Sequence, residues 1–222
     1  MPANKAKGRG GARDIAYCGV QLVDRKLKPL GPVLEQWVKL IPRYADRHRK
    51  ADPIGEPDYP FWYGERASLS SLAAAAWLAG GVALEEYAAP KRGRTGRADL
   101  WLLLDEGFVI EAKQLWVSVG RRGRTSVPNE IAQKLQAAQR DARELPKNWW
   151  GSRLGIAFVV PQVPESEEGQ LDSIVQRFLK IALQPRTQGA WWFNSRVDVA
   201  DDRYLYPGVL LVMENARRPG RG

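Results

Sequence analysis

Apolar residues recur at two spacings along the chain, and these spacings predict alternating strands and helices. Residues 15–23 are typical of a strand. Residues 32–47 place six apolar side chains at helical spacing: Val33, Leu34, Trp37, Leu40, Ile41 and Tyr44. The proline-rich stretch ADPIGEPDYPFWYG predicts an irregular connector. The alanine-rich run from Glu65 to Leu78 predicts a helix that Gly80 and Gly81 end.

The pattern continues through the second half of the chain. Residues 82–88 predict a strand, followed by a basic, glycine-bearing loop, PKRGRTGR. Two strand-like runs, ADLWLLL and FVIEAKQLW, come next, and a helix is predicted from about Pro128 to Leu145. Residues 153–160 are almost wholly apolar, which predicts a strand buried on both faces. A helix at 169–183 and a strand near 208–213 follow. This order of elements predicts an α/β or α+β fold.

The length of 222 residues fits a single domain with additions to its core. Both ends of the chain are basic and glycine-bearing, which predicts disordered tails. The boundaries we expect are a tail at 1–13, one domain at 14–215 with its core at about 64–163 and additions at 14–63 and 164–215, and a tail at 216–222.

Charge and composition narrow the classes of function. The chain has 34 Lys and Arg against 25 Asp and Glu, a net charge of +9, which favours a polyanionic partner such as nucleic acid. A generically basic protein is the alternative. The chain has one cysteine, Cys18, and one histidine, His48, so an intramolecular disulfide and zinc sites built from several Cys or His residues are excluded within one chain. We find no signal peptide and no membrane span, and expect a cytoplasmic protein without a membrane partner.

The candidate chemistry lies in two successive strands. Glu111 and Lys113 are two residues apart on a strand, so both are expected on one side of it. A three-residue turn at 105–107, with Gly107 left-handed, would pair Leu104 with Phe108 and put Asp99 opposite Lys113. A two-residue turn would instead point Asp99 away. We expect the three-residue form, in which all three charged side chains share one face.

Two carboxylates beside an ammonium suit the cleavage of a phosphodiester bond. Carboxylate oxygens bind hard cations such as Mg²⁺ or Mn²⁺, and the carbonyl of Ala112 is a plausible further ligand. Such a metal lowers the pKa of bound water and withdraws charge from the phosphate. Lys113 can orient or deprotonate the attacking water, or neutralise the charge on the phosphorane, and the sequence does not separate these roles. The competing interpretation is a salt-bridged pair on an exposed strand.

The stretch from Tyr63 to Gln114 resembles the core of the PD-(D/E)XK nuclease superfamily, whose fold is that of the restriction endonucleases. It is most similar to the archaeal-type Holliday junction resolvases and related DNA-repair nucleases. The resemblance rests on a helix that starts Gly64-Glu65-Arg66, on Asp99 at the start of a strand, and on the Glu-x-Lys strand at Glu111. The later helix and strand at 128–160 match loosely. The RecB-like branch of the superfamily carries a glutamine and a tyrosine on this helix. Gln133 and Gln136 lie on the helix here, but no tyrosine follows at the right spacing.

The resemblance implies a restriction-endonuclease-like αβββαβ core with a mixed central sheet and added elements at both ends. It implies dependence on Mg²⁺, for which Mn²⁺ can substitute, with Asp99, Glu111, Ala112 and Glu65 as the metal site. The alternative for Glu65 is a first-turn glutamate favoured by the helix dipole. Members of this superfamily are often dimers, so a homodimer is a further expectation from the resemblance.

Basic residues flank the candidate site along the sequence. Loops next to the catalytic hairpin are where a duplex backbone would rest, although two solvated charged loops are the alternative. The candidate nucleic-acid-binding residues are Lys91, Arg92, Arg94, Arg97, Arg121, Arg122, Arg124 and Gln133. The tryptophan pairs 149–150 and 191–192 could stack on unpaired bases, but we favour a role in the core or an interface.

The sequence therefore predicts a Mg²⁺-dependent endonuclease that hydrolyses DNA, with Asp99, Glu111, Lys113 and Glu65 as catalytic residues. Two other functions stay open. One is a non-catalytic nucleic-acid-binding or assembly subunit that has kept a nuclease-like fold. The other is a nuclease directed at RNA, because a fold does not choose its substrate.

Overall fold

A computed structural model describes residues 16–91, 94–120, 126–145, 151–194 and 203–216. The four helices are α1 (Gly31–Ala51), α2 (Glu65–Leu78), α3 (Val127–Glu144) and α4 (Leu171–Ala182). The strands are β1 (Ala16–Gln21), β2 (Val82–Lys91), β3 (Arg94–Leu103), β4 (Gly107–Ser118), β5 (Ser152–Pro164), β6 (Gly189–Asn194), β7 (Tyr204–Leu205) and β8 (Gly208–Asn215). Short 3-10 turns lie at Arg25–Leu30, Pro60–Trp62 and Glu165–Gln170.

The strands form one eight-stranded sheet in the order β1-β6-β8-β5-β4-β3-β2, with β7 beside β5. The β4–β5 pair is parallel, and the other pairs in the described residues are antiparallel. The expected α/β fold with a mixed sheet is therefore confirmed. Helix, three strands, helix and strand follow one another from α2 to β5, as the sequence predicts.

Two apolar cores lie on opposite faces of the sheet. Side chains of α1 and α2 fill one face, and side chains of α3 and α4 fill the other. Strand β5 contributes to both: Ile156 and Phe158 face the α1–α2 side, while Ala157 and Val159 face the α3–α4 side. All four are 0% exposed, which confirms the prediction of a strand buried on both faces.

The apolar stripe of α1 is wider than the core that it packs against. Four of the six residues at helical spacing are buried: Val33, Leu34, Trp37 and Ile41. Leu40 is partly exposed and Tyr44 is 38% exposed, so the stripe extends beyond the core at these two positions. Both line a groove on the outer side of the helix.

Two regions differ from the predicted elements. The basic segment after residue 88 was expected to be a loop, but Ala89, Pro90 and Lys91 continue β2 and pair with Gly96, Thr95 and Arg94 of β3. Proline is tolerated there because β2 is an edge strand. Strands β6 and β7 were not predicted. In β6, Trp192 is buried and Trp191 packs against the α3–α4 core, which confirms the structural interpretation of this tryptophan pair.

Several predictions lie outside the described residues. They concern the tails, except Ala216, and the tryptophans at 149 and 150. Within the described part of the chain, no helix is long and apolar enough to cross a membrane.

Candidate functional site

The turn of the β3–β4 hairpin differs from the predicted one. Leu103 pairs with Gly107, so the three turn residues are 104–106 rather than 105–107. Gly107 belongs to β4 and has no left-handed backbone. The prediction failed because it assigned a special conformation to this glycine, whereas the strand accommodates it in extended form. The register is shifted by two residues, which puts position 99 next to Glu111 rather than Lys113.

The regular pairing of β3 is interrupted at Asp99. Its pairing with β4 ends at Leu100 and Ile110, although β4 continues to Ser118. On its other side, the pairing with β2 omits Asp99, which would lie opposite Glu86. Glu86 has a φ of 51°, which is unusual for a residue other than glycine. A gap therefore opens between β3 and β4 at Asp99.

The alternation of side chains along β3 is also interrupted at this position. Ala98 and Trp101 are three residues apart, yet both pack in one small cluster with Val109 and Leu145. Regular alternation would put them on opposite faces. We predicted that regular alternation would bring Asp99 to the same face of the sheet as Glu111 and Lys113. That reason is wrong, because the alternation along β3 is interrupted between Ala98 and Trp101. The Asp99 carboxylate reaches β4 across the gap instead.

Two carboxylates occupy the edge of β4 that β3 leaves open. Asp99 Oδ2 accepts a hydrogen bond from the backbone N–H of Ala112 at 2.7 Å. Glu65 Oε2 accepts one from the backbone N–H of Gln114 at 3.0 Å. The N–H groups of residues two apart in a strand point to the same edge, so both acids lie on one side of β4. The remaining oxygen of each carboxylate accepts no hydrogen bond from the described residues.

The start of α2 fixes the position of Glu65. Gly64 precedes the helix with φ +114° and ψ −167°, a conformation that side chains other than hydrogen rarely allow. Ser68, one turn into α2, donates a hydrogen bond to the side chain of Gln114 at 2.9 Å. The same Gln114 amide donates to the carbonyl of Phe61 at 3.1 Å. These bonds tie the first turn of α2 to β4 and hold Glu65 beside the gap.

Lys113 lies between the two amides and is held by helix α3. Its Nζ is 2.8 Å from Asp141 Oδ2, and its side chain is 29% exposed. Burial lowers the pKa of Lys113, but the hydrogen bond and charge of Asp141, together with Glu65 and Asp99, outweigh it and raise the pKa. The lysine is therefore a cation at neutral pH.

Glu65 is held in a less favourable electrostatic setting. Burial raises the pKa of its carboxyl group, and the negative charge of Asp99 adds to this effect. Lys113, the Gln114 amide and Lys134 of α3 oppose it, but the net direction is upward. Asp99 and Lys113 are thus close enough to Glu65 to influence the pKa of its carboxyl group.

The other members of the predicted site lie on the same strand. Glu111 is 2% exposed and lies next to Gly155 of β5 in the parallel pairing. The backbone of Ala112 points its N–H and C=O towards the edge that faces the gap, since both groups of one residue share an edge. Ala112 itself is buried.

The predicted basic surface is described only in part. Arg97 is exposed and forms an ion pair with Glu86 at 3.5 Å. Gln133 is exposed on α3. The backbones of Lys91 and Arg94 form the end of the β2–β3 hairpin. The predictions for Arg92, Arg121, Arg122 and Arg124 fall outside the described residues.

Three residues near the site were not predicted: Lys134, Asp141 and Gln114. Lys134 and Asp141 are seven residues apart on α3, which puts them on one face of that helix, towards β4. This spacing was visible in the sequence, but nothing in it indicated which strand the helix would cover. The role of Gln114 depends on contacts with residues about 50 positions away, which no local pattern shows.

The described residues contain no group of three or more His, Cys, Asp or Glu arranged to hold a metal ion. Mg²⁺ needs fewer protein ligands than this, because it keeps several waters and is often bound by one or two carboxylates together with substrate phosphate. Asp99 and Glu65 each offer one oxygen that accepts no hydrogen bond from the described residues. Carboxylate oxygens are the donor type that hard cations such as Mg²⁺ take in proteins.

The chain was compared with protein-family models, curated proteins and solved structures, and none of them matched it. The site is accordingly interpreted from its own residues.

Proposed function

We propose that the protein is a Mg²⁺-dependent endonuclease that hydrolyses phosphodiester bonds of DNA, and that it belongs to the PD-(D/E)XK superfamily. One observation carries the proposal. Two carboxylates from separate elements, Asp99 and Glu65, bind amides on either side of Lys113 at a gap in the sheet. Acids from distant parts of the chain gather at a half-buried ammonium, although a core without charges would be easier to stabilise.

The proposed metal site is formed by Asp99 and Glu65, with the Ala112 carbonyl as a further ligand suggested by the resemblance. Glu111, which the resemblance also implies, does not form a three-acid metal group with these two residues in the described part of the chain. When bound, Mg²⁺ supplies charge neutralisation at the phosphate and lowers the pKa of water. The amides of Ala112 and Gln114 orient the two carboxylates, so that their open oxygens need little rearrangement to take up a ligand.

Of the roles considered for Lys113, its protonation state favours two. The raised pKa keeps the side chain charged at neutral pH, so it does not act as the base in the state described. A cation at this place can orient a water molecule or stabilise negative charge on the phosphate during attack. Asp141 holds the ammonium at 2.8 Å and so restricts its position.

A nucleic-acid substrate is supported by the overall charge. The surplus of +9 gives an attraction for phosphates that weakens with salt. We propose DNA as the substrate because the motif resembles that of DNA-repair nucleases. RNA is tested as the alternative substrate in the assay below. The resemblance also leads us to propose a homodimer, which sedimentation velocity would measure.

The test is cleavage of supercoiled, linear, single-stranded and branched DNA, and of RNA, in Mg²⁺ or EDTA. We expect cleavage of DNA in Mg²⁺ only. Asp99→Asn keeps an oxygen for the Ala112 amide but removes the charge, and we expect about 10²–10⁴-fold slower cleavage with retained binding. Asp105→Asn, the same change in the exposed turn of the same hairpin, is the matched control and should cleave normally.

Equal cleavage by Asp99→Asn and the wild type would end the proposal. A second candidate, a nucleic-acid-binding subunit without catalysis, is favoured by the absence of a three-acid group in the described residues. It predicts salt-dependent binding by both variants and no cleavage in either metal condition, so the same assay separates the two functions.

A further inference from the structure

The outer faces of α1 and α2 enclose a groove that the proposed catalytic site does not use. It has a volume of about 820 Å³, within the range of ligand sites. Leu40 on one side, and Ala74 and Leu78 on the other, give it a mostly apolar lining. Leu78 is 53% exposed at the end of the groove, so apolar surface that could have been buried is left open to solvent.

Two arginines on successive turns of α1 line this groove. Arg43 and Arg47 are both exposed and are four residues apart, so they lie on one face of the helix. Neither forms an ion pair or hydrogen bond with the described residues. Arg49 of the same helix, outside the groove, is paired with Asp46 at 3.4 Å. The groove therefore carries two positive charges that no described residue pairs.

Two tyrosine rings also line the groove. Tyr63 is 70% exposed and Tyr44 is 38% exposed. Tyr44 donates a hydrogen bond to the buried Asp58 at 3.1 Å, and the same carboxylate raises the pKa of Tyr63. Asp58 thus holds the hydroxyl end of Tyr44, whose ring also stacks on His48 with the ring centroids 6.4 Å apart. Most of the Tyr63 side chain is open to solvent.

The groove reaches the helix that carries part of the candidate site. Tyr63 is separated from Glu65 only by Gly64, at the point where α2 begins. A groove residue and a residue of the candidate site are therefore neighbours along the chain at the N-terminus of this helix.

We propose that this groove binds an unpaired nucleic-acid strand, with bases on Tyr63 and Tyr44 and phosphates at Arg43 and Arg47. Aromatic rings beside arginines form the usual platform for single strands, because every base has a face that can stack. An acidic peptide would satisfy the arginines but would not explain two exposed rings in the same groove. The inference deepens the proposed function, since it assigns single-stranded or branched DNA as the substrate class.

The test measures binding of the full chain to a fluorescent oligothymidylate of about 12 nucleotides, in EDTA, by anisotropy. Tyr63→Ala should weaken binding about five- to 150-fold, and Tyr63→Phe, which keeps the ring, should bind like the wild type. Arg43→Gln with Arg47→Gln should reduce the slope of log affinity against log salt by about 1.4, the value for two phosphate contacts on a single strand.

The matched control for charge is Lys39→Gln with Lys50→Gln. Both lysines are exposed on α1, lie outside the groove and have no partner among the described residues. This control should leave the salt slope nearer to that of the wild type. Equal loss in the control and the arginine variant would overturn the inference, because it would show attraction by overall charge alone. So would unchanged binding by Tyr63→Ala, or binding of a labelled polyglutamate in place of the oligonucleotide.

Failure of this inference and failure of the proposed function give different results. Asp99→Asn should bind the oligothymidylate like the wild type, since it lies outside the groove. If the groove variants bind normally and cleavage still depends on Asp99, the groove inference is wrong and the proposed nuclease function stands. If cleavage is absent, or does not depend on Asp99, the proposed nuclease function is wrong. Loss of binding in Tyr63→Ala would still support a groove for single strands in that case.

Discussion

The two halves of the β3–β4 hairpin are built from the same strands but have opposite properties. Near the turn, residues 100–103 pair with 107–110 in a regular ladder, and Leu100, Leu102 and Phe108 are 0% exposed. Beyond Ile110 the ladder ends, and carboxylates of Asp99 and Glu65 take the place of a neighbouring strand at β4. The closed half stabilises the fold, whereas the open half presents charged groups at a gap.

This contrast shows how a sheet can carry a polar site without leaving backbone groups unsatisfied. An amide in the interior needs a hydrogen-bond partner, and a strand edge without a neighbour lacks one. Here the side chains that supply the partner are acids, and each keeps a second oxygen for another use. Burial raises the pKa of Glu65, so the open half carries an electrostatic cost that the closed half does not.

The largest effect on stability is expected in the closed half. Leu102→Ala removes a side chain that is 0% exposed, and a buried leucine truncated to alanine costs about 2–5 kcal/mol. For a chain of this size, this corresponds to a melting temperature about 4–20 °C lower. Leu103→Ala, at the adjacent, 36% exposed position, is the control and should change stability by about 0.5 kcal/mol or less.

Asp99→Asn should resemble the control in this measurement, because the amide bond to Ala112 is kept. A loss of stability as large as that of Leu102→Ala would contradict the division of the hairpin into two halves.

A smaller effect is expected where α3 approaches the sheet. A Cβ on Gly155 would lie 2.5 Å from the backbone nitrogen of Gln139, so the helix must move away. Gly155→Ala should destabilise the fold by about 1–3 kcal/mol, as overpacking does. Because α3 carries Asp141, the change should also loosen the contact with Lys113 and slow cleavage.

Gly169→Ala provides the comparison, since nothing lies within 4 Å of its added Cβ. Thermal melting of both variants checks the prediction, and equal melting temperatures would show that α3 does not depend on this close approach.

The smallest effect is the pH dependence at Glu65. Its pKa is raised above the ordinary value of 4.5, so the ionised carboxylate disfavours the folded state. This disadvantage is absent at pH well below 4.5, appears as the pH rises through that value and is complete above the folded pKa. Glu65→Gln, which still accepts the Gln114 amide, should be as stable as the wild type in acid and slightly more stable at neutral pH.

Urea denaturation of both proteins across this range measures the difference. A variant that is less stable than the wild type at neutral pH would mean that attraction to Lys113 outweighs burial at Glu65.

The sequence predicted the elements of the site better than their arrangement. The bounds of α2 followed directly from alanine content and the two glycines, because these signals are local. The predicted turn, 105–107, was one residue too late, since the turn lies at 104–106. The pairing of β3 with β4 is therefore shifted by two residues, and Asp99 still lies near β4. The interruption at Asp99 and Glu86 could not be predicted, since it depends on contacts between strands.

Dependence on contacts between separate elements also explains why β6, β7 and the groove between α1 and α2 were not predicted from the sequence. Strand β6 pairs with β8 and with β1, which lies at the other end of the described chain, and its short apolar run carries no signal of these partners. The spacing of Leu40 and Tyr44 correctly placed them on the apolar stripe of α1. It could not show that no other element covers that part of the stripe in the described structure.

The most direct test of the central claim, that the gap between β3 and β4 binds a divalent ion, is paramagnetic line broadening. Mn²⁺ would be titrated into isotope-labelled protein while the backbone amide signals are followed. We predict that the amides of Ala112 and Gln114 broaden first and most strongly, and that Asp99→Asn removes this effect. Earlier broadening at the acidic turn Glu165–Gln170, with the signals of Ala112 and Gln114 unchanged, would contradict the account.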